Sequence, residues 1–354
     1  MTELGRRERI CFVSETGRGN RPILDPSVRY RCYHHAEALA AAGFVTAVLS
    51  ASQFYSAPPT DYDIYVFHRP NYSRLNFSRT LEFLESRNKV LIADYDDLIF
   101  GNEIEALDSS GFKNNTLTEI GAIKAFSDNL KALRMFKRVS VSTAPLAAQA
   151  LSHSKEFNVR IIPNHLPRAL VNTHLSLGTT NRDRPARSIG YFAGTKSHNR
   201  DFPIVEHALH KVLSEDKSLV FSVVGPVNLP GGLASLPNVR QMGPVSYVRL
   251  PGLMSSFDTV IAPLETSRFN DCKSRVKYLE ATLSGCRLVA TPIPDMRAAD
   301  ICNSISFASS DDDWYEALSL GAVIDSDDRV GNLLRVDRLA GVNQFLEQFE
   351  SLIK

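Results

Sequence analysis

The sequence is short of the features that would tie it to a membrane, a polyanion or an oxidising compartment. It holds no run of about 18 apolar residues, the length a helix needs to cross a bilayer. Its opening, MTELGRRERICFVS, has charge but no apolar stretch of signal-peptide length, so no targeting segment is expected. Forty basic residues stand against 39 acidic ones, and a net charge of +1 supplies no field to hold nucleic acid. The cysteines Cys11, Cys32, Cys272, Cys286 and Cys302 are odd in number and widely spaced, with no paired spacing for zinc or redox work; a reducing cytoplasm fits. Short-period repeats, low-complexity tracts and heptads are missing, which excludes solenoids and coiled coils. GRGNRP at Gly17 lacks the third glycine of the dinucleotide fingerprint and no Walker A motif occurs, so nicotinamide enzymes lose ground.

What is present is an ordinary globular composition, 44% hydrophobic and 22% charged, on 354 residues, a length that favours two domains. Short apolar runs alternate with helical patterns: RICFVS, TAVLS, DIYVFHR, KVLIADYD, RVSVST and RIIPN read as strands, hence a parallel sheet. The pattern lapses through LPRALVNTHLSLGTTNRDRPARS, a polar tract that reads as a linker. A second series follows in SIGYFAG, LVFSVVG, VRQMG, TVIAPL and RLVATP. The expected fold class is therefore α/β, two Rossmann-like doubly wound domains facing a cleft. Their expected bounds are residues 1–166 and 188–325, joined by 167–187; residues 326–354, with a last helix over Val336–Leu352, are free to pack on either half.

In doubly wound sheets, ligands sit beyond the carboxyl ends of the strands, so the segments after each strand carry the candidates. After SIGYFA comes GTKSHNRDF, where Gly194 allows close backbone approach and Thr195 and Lys196 can contact an anion. RFNDCKSRVKYLEATLSGC reads as a helix from Cys272 to Leu283, with Asn270 or Asp271 as its cap, Ser274 in its first turn and Gly285 after its end. That spacing predicts Lys273, Lys277 and Glu280 on one face, beside an apolar stripe of Val276, Leu279 and Leu283. A helix N-terminus with nearby lysines attracts phosphate; a solvated face with a Lys/Glu pair is the plain alternative. A diphosphate needs several donors, and one half of the chain supplies both the Gly-Thr-Lys turn and the lysine-bearing segment.

In the first half, DYDDLIF brings Asp94, Asp96 and Asp97 to a strand end, able to bind a metal, act as a base or cap a turn. YRCYHHAEALAAAGF reads as a helix in which Arg29, Arg31, His34 and His35 approach the cleft, although adjacent histidines cannot share a face to bind a metal. Arg69 in HRPNY ends a strand, able to meet an anionic acceptor or form a structural ion pair. The basic stripe in NLKALRMFKR reads as a solvated helix face and leaves peripheral membrane association open.

Taken together, APLETSRFNDCKSRVKYLEATLSGCRLVAT, IGYFAGTKSHNRDF, IPNHLP and YRCYHHAEALAAAGF resemble GT-B glycosyltransferases, specifically the retaining family-4-like group of bacterial surface-polysaccharide biosynthesis. The likeness runs from about Arg9 to Asp300, and the order of the motifs makes it specific. It implies that Glu280 binds the ribose of a nucleotide-sugar donor and that Lys273 and Ser274 contact its diphosphate. It also implies that Gly194, Thr195 and Lys196 form the turn facing that diphosphate; Asn270 and Lys277, read from the same segment, complete the expected donor set. The family's paired-glutamate motif would place a second Glu eight residues before Glu280, but Cys272 stands there.

The resemblance further implies no cofactor and no metal, because cations and the helix end neutralise the leaving diphosphate. Lys273 then serves catalysis as well as binding, with same-face attack assisted by the phosphate if configuration is retained, and Asp96 or Asp97 as base if it inverts. Arg29, Arg31, His34 and Arg69 are the acceptor candidates. The expected acceptor is a glycan or lipid-linked glycan, and the expected location is the cytoplasm, at or away from the inner face of the membrane. A nucleotide-sugar 2-epimerase of the same fold and a non-catalytic glycan-binding or scaffold protein are the rivals.

Overall fold

In the computed structural model, described over residues 8–16, 21–177, 187–194, 200–299, 305–320 and 326–354, the apolar runs pair into two all-parallel sheets of six strands each. The first holds β1 (Arg9–Ser14), β2 (Val45–Ser50), β3 (Ile64–His68), β4 (Val90–Tyr95), β5 (Arg138–Val141) and β6 (Asn158–Ile161), in the order β2-β1-β3-β4-β5-β6. The second holds β7 (Ser188–Phe192), β8 (Val220–Val224), β9 (Val239–Met242), β10 (Thr259–Ala262), β11 (Arg287–Ala290) and β12 (Ile305–Phe307), in the order β12-β11-β10-β7-β8-β9.

The central strands of both sheets are buried on two faces, which is why they read as apolar runs rather than as alternations, while the edge strands β2, β6 and β9 are largely exposed or half-buried. Side chains still alternate in direction. Cys11 and Val13 join Tyr65, Phe67, Tyr95 and Val141 in one cluster, whereas Ile10 and Phe12 join Ile64, Val66 and Ile92 in another. In the second sheet Val260, Ala262, Leu288 and Ala290 face one cluster, and Tyr191, Phe221, Val223 and Ile261 the other.

Strand order fixes where ligands can enter. The first sheet reverses direction between β1 and β3, and the second between β7 and β10. At such a switch point the loops diverge and open a crevice beyond the carboxyl ends. The segments beginning at Glu15, Arg69, Ala193 and Pro263 emerge there.

Local structure departs from sequence expectation in four places. The polar tract after β6 contains a helix, Arg168–Leu177; its remainder, 178–186, lies outside the described residues, as do Gly17 to Asn20 of GRGNRP. The last helix is two, Ser326–Ala340 and Val342–Ile353, divided at Gly341. The second packs Val342, Phe345, Phe349 and Leu352 into the first domain's cluster with Ile10 and Phe12, and Arg138 Nε donates to the Leu352 carbonyl at 3.1 Å. Strand β6 begins two residues before the apolar run suggests, and β12 follows a stretch too short to stand out. The fourth departure concerns the segment before Glu280.

Candidate active site

RFNDCKSRVKYLE does not form one helix from Cys272. A single turn, Arg268–Asp271, is capped by Ser267, whose Oγ accepts from the Asn270 amide at 3.1 Å. The chain then breaks through Lys273 and Ser274, and the helix proper is Val276–Leu283, closed by Gly285 at a positive φ of 67°. The break has identifiable causes. Phe269 and Cys272 are buried in the first domain's apolar cluster with Tyr95, Val141 and Leu146, and the Arg275 amide and side chain are held by Asp295 at 2.7–3.0 Å. Lys273 and Ser274 therefore lie in the turn before the helix, and only Lys277 and Glu280 share a helical face, with an ion pair at 2.9 Å. Asn270 is not the helix cap: its Nδ2 donates to the Glu265 carbonyl at 2.7 Å.

This turn is built against the first domain. Asp108 accepts from the Phe269 amide at 2.9 Å, and Glu105 pairs with Arg268 at 3.3 Å. Thr143, the N-cap of the helix after β5, donates its hydroxyl to the Cys272 carbonyl at 2.9 Å. Asn164 donates to Ser274 Oγ at 2.9 Å, and Tyr30 donates its hydroxyl to Glu280 at 3.2 Å. Burial, then the nearby Glu280, raises the Tyr30 phenol, so it remains a donor. Burial, Asp271 and Asp97 push the Cys272 thiol up to about 12; it stays neutral and turns into the core where the family pattern has a carboxylate.

The result is a set of donors and acceptors in the segment after β10, at the second sheet's switch point. Lys273 makes no ion pair with a described residue, its Nζ lying 5.5 Å from the Phe269 ring centre. The Arg275 side chain makes no capping bond to the first turn of Val276–Leu283, and the Asp295 carboxylate already sits at this helix end on the Arg275 amide at 2.8 Å. Apart from its chain neighbours, no described atom lies within 4 Å of where a Gly194 Cβ would stand. Thr195 and Lys196 lie outside the described residues.

In the first domain the three aspartates are each met by a cation. Asp94 is 1% exposed and takes Arg31 in two hydrogen bonds of 2.5 and 3.0 Å, with Ser140 as a further donor. Arg31 is fully buried and its remaining nitrogen donates to the Ile162 carbonyl and Asn164 at 2.6 and 3.2 Å. That corrects its assignment to an acceptor: Arg31 is a core ion pair with no surface to offer. Asp96 is held by Arg69 Nε at 2.7 Å, by His68 at 3.3 Å and by the Ser27 hydroxyl. Burial alone would raise its carboxyl; Arg69 and His68 outweigh that and hold it well below the usual carboxylate range, which makes Asp96 a poor base. Asp97 takes the other fork of Arg69 at 2.7 Å and stays about a third exposed. Arg69 sits at a positive φ of 53°, and its guanidinium, 25% exposed, is committed to both carboxylates. Among the described residues no group of three or more histidine, cysteine, aspartate or glutamate side chains is placed to hold a metal ion.

Arg29 and His34 meet the second domain through Tyr247. The Arg29 guanidinium lies 3.8 Å from the centre of the Tyr247 ring, whose hydroxyl is 3.2 Å from His34 Nε2. His34 is 4% exposed, and burial, reinforced by His165 and Arg29, lowers it to about 3. It is a neutral interdomain contact, not a cation for an acceptor. Tyr30, Asp108, Thr143, Asn164 and Tyr247 were not singled out from the sequence. Tyr30 lies inside a motif that was, and Thr143 follows a strand as caps do, but nothing local marks Asp108 or Tyr247.

Comparison with known proteins places the fold. No protein-family model and no curated protein matches the sequence. Among solved structures, OtsA in its apo form is similar with a TM-score of 0.65 at 11% identity, covering 98% of this chain and 99% of that one. The E. coli trehalose-6-phosphate structure bound with UDP-2-fluoro glucose gives 0.63 at 11% identity, covering 97% and 98%. Sucrose-phosphate synthase from Thermosynechococcus elongatus gives 0.56 at 13% identity, covering 98% and 99%. At such identities the likeness establishes the fold, two Rossmann-like domains in the GT-B arrangement over nearly the whole chain.

Proposed function

We propose that the chain is a glycosyltransferase that moves a sugar from a nucleotide-diphosphate sugar to a hydroxyl of a glycan or lipid-linked glycan, with retention and without a metal. The observation that carries this reading is the set Lys273, Ser274, Lys277 and Glu280 in the segment after β10, which ends beside β7 and Gly194 at the switch point of the second sheet. Glu280 already accepts from Tyr30 and Lys277, so its carboxylate is oriented for the hydroxyl donors of a ribose. Lys273, without an ion pair among the described residues, supplies the positive charge where a diphosphate departs, and Lys277 can add to it by leaving Glu280. A similar fold bound with UDP-2-fluoro glucose supports a nucleotide-sugar donor.

In the proposed step the bond from the anomeric carbon to the phosphate oxygen breaks as the acceptor oxygen bonds to the same face. The acceptor proton passes to the departing phosphate, so no protein base is required. The engagement of Asp96 by Arg69, His68 and Ser27 favours this route over one needing that carboxylate. Asp97 is the base if configuration inverts. A lipid-linked acceptor would bring the protein to a membrane surface; among the described residues no helix is long and apolar enough to cross one.

The test is calorimetric titration with UDP, GDP, CMP and dTDP, with and without chelator, repeated on Lys273→Ala. Binding of one nucleotide, lost in the variant and indifferent to chelator, is expected. Silence toward all four would transfer the assignment to a non-catalytic glycan-binding protein. Release of free sugar without acceptor would make it an epimerase.

A further inference from the structure

Glu280 and the buried Asp94 differ in how many of their acceptor sites are filled. Asp94, 1% exposed, takes two bonds from Arg31 and one from Ser140 and is sealed from solvent. Glu280 is 12% exposed and, among the described residues, takes one donor on each oxygen: the Tyr30 hydroxyl on Oε1 at 3.2 Å and Lys277 Nζ on Oε2 at 2.9 Å. An ionised carboxylate has about four acceptor sites, so each oxygen of Glu280 keeps room for one more donor. A second relay ends beside it. Arg31 can only donate, so Asn164 Oδ1 faces it at 3.2 Å, and Asn164 Nδ2 is thereby turned to Ser274 Oγ at 2.9 Å. Ser274 accepts from Asn164, and its own hydrogen, which points elsewhere, meets no acceptor among the described residues.

Both relays start in one irregular turn of the first domain. The His34 amide bonds to the Arg29 carbonyl five residues back, so Arg29–Tyr33 is a π turn, wider than the α-helix His34–Ala41 that follows it. Three consecutive residues of this turn reach three separate targets: Arg29 the Tyr247 ring, Tyr30 the Glu280 carboxylate, and Arg31 both Asp94 and Asn164. Tyr30 and Asn164 are 4% and 3% exposed, so neither has surface to hold a ligand, and what they contribute acts through Glu280 and Ser274. Each relay leaves its end group with one polarity on offer, acceptor at Glu280 and donor at Ser274. Those are the polarities that ribose hydroxyls and phosphate oxygens call for.

We propose that Tyr30 and Asn164 of the first domain are positioning residues for the nucleotide site of the second, Tyr30 holding Glu280 ready for a ribose diol and Asn164 turning the Ser274 hydrogen toward phosphate. The inference rests on the nucleotide-sugar reading. It adds a specificity to that reading: the site prefers a ribonucleotide to its 2′-deoxy form, and the size of the preference is set by Tyr30, 250 residues away from Glu280 in the chain.

The experiment is calorimetry of the full chain with UDP, 2′-deoxy-UDP, GDP and 2′-deoxy-GDP. For whichever base binds, wild type should prefer the ribonucleotide by about 10-fold, the loss expected for a hydrogen bond to a charged group. Tyr30→Phe removes one hydroxyl and keeps the ring; it should weaken the ribonucleotide by about 5-fold, move the 2′-deoxy form less than about twofold, and so shrink the preference to about twofold. Asn164→Ala should weaken both forms by about 5-fold with the preference intact, and should cost less than about twofold more when Ser274 is already alanine, because it acts through that hydroxyl. Equal weakening of both forms by Tyr30→Phe, or no weakening, would overturn the role of Tyr30; a full additional loss from Asn164→Ala on top of Ser274→Ala would overturn that of Asn164. Asn164 also holds Arg31, so if Asn164→Ala melts early the proposal stands or falls on Tyr30→Phe. A wild type that binds ribo and 2′-deoxy forms alike overturns this inference and leaves the nucleotide reading standing, whereas silence toward all four ligands ends both.

Discussion

Replacing Arg31 by leucine tests whether that residue is part of the core or of the acceptor site. The guanidinium is fully buried and donates to Asp94 twice, to the Ile162 carbonyl and to Asn164. Leucine removes all four hydrogen bonds and leaves the Asp94 carboxylate, 1% exposed, with Ser140 as its remaining side-chain donor. Breaking a buried pair from one side costs about 3–5 kcal/mol, because a buried charge is left uncompensated. Against a total stability of roughly 5–15 kcal/mol this is a large share. With a urea m-value of about 2 kcal/mol per molar, the unfolding midpoint of the first domain should fall by about 2 M. Urea unfolding followed by circular dichroism measures it. Adding Asp94→Leu removes the stranded charge and should recover about 1–2 kcal/mol of the loss, though the Ile162 carbonyl and Ser140 remain short of partners. A midpoint that moves by less than about 0.5 M, or an Arg31→Leu protein that folds normally but needs more acceptor, would refute the core reading.

Three further outcomes follow from the same geometry. Glu280→Ala should weaken donor use by about 2–4 kcal/mol with the melting temperature nearly unchanged, read from kcat/KM; wild-type turnover would remove Glu280 from the site. Thr143→Val should lose about 1–2 kcal/mol of stability, since Thr143 both caps its helix and holds the Cys272 carbonyl, and should loosen nucleotide binding, with Thr143→Ser restoring both; a stable variant with unaltered affinity would show that this contact does not set the turn. Acid should destabilise the protein early. Burial lowers His34 to about 3 and His165 to about 4, against about 6.5 when unfolded. Below pH of about 6.5 the unfolded chain therefore binds protons the native state does not, and stability present above that pH is lost on acidification, at up to about 2.7 kcal/mol per pH unit toward pH 4. Urea midpoints at pH 7.5, 6 and 5 read this directly, and a flat series would count against it.

How far the sequence reaches is clearest strand by strand. Parallel strands buried on both faces appear as apolar runs such as IYVFH and RLVA, so the two sheets were legible from the alternation of those runs with helical segments. Strand order was not, because it depends on which crossover goes left or right, and that is decided by long-range packing. Residue types at strand ends pointed to the right regions, but not to the roles inside them. Arg31, His34 and Asp96 have the chemistry of ligand-binding side chains, and the structure spends them on Asp94, on Tyr247 and on Arg69. A helical wheel treats a charged residue as facing either solvent or a ligand; a partner 63 residues away, as Asp94 is from Arg31, is invisible to it.

The segment before Glu280 shows the same limit with more consequence. Read by periodicity, RFNDCKSRVKYLE is a helix whose lysines line up with its glutamate. What overrides periodicity is tertiary: Phe269 and Cys272 are apolar enough to enter the first domain's core, and once they do, the backbone between Asp271 and Val276 must turn outward. The first domain then fixes that turn through main-chain atoms, Asp108 at the Phe269 amide and Thr143 at the Cys272 carbonyl. Main-chain contacts of this kind leave no signature in the side chains of the turn itself. They also mean that the placement of Lys273 and Ser274 depends on how the two domains meet, so a change at Thr143 in the first domain should be felt by a nucleotide bound to the second. That coupling gives the Thr143→Val and Thr143→Ser pair its weight: it separates a turn shaped by its own sequence, which would bind nucleotide regardless, from one assembled by domain contact.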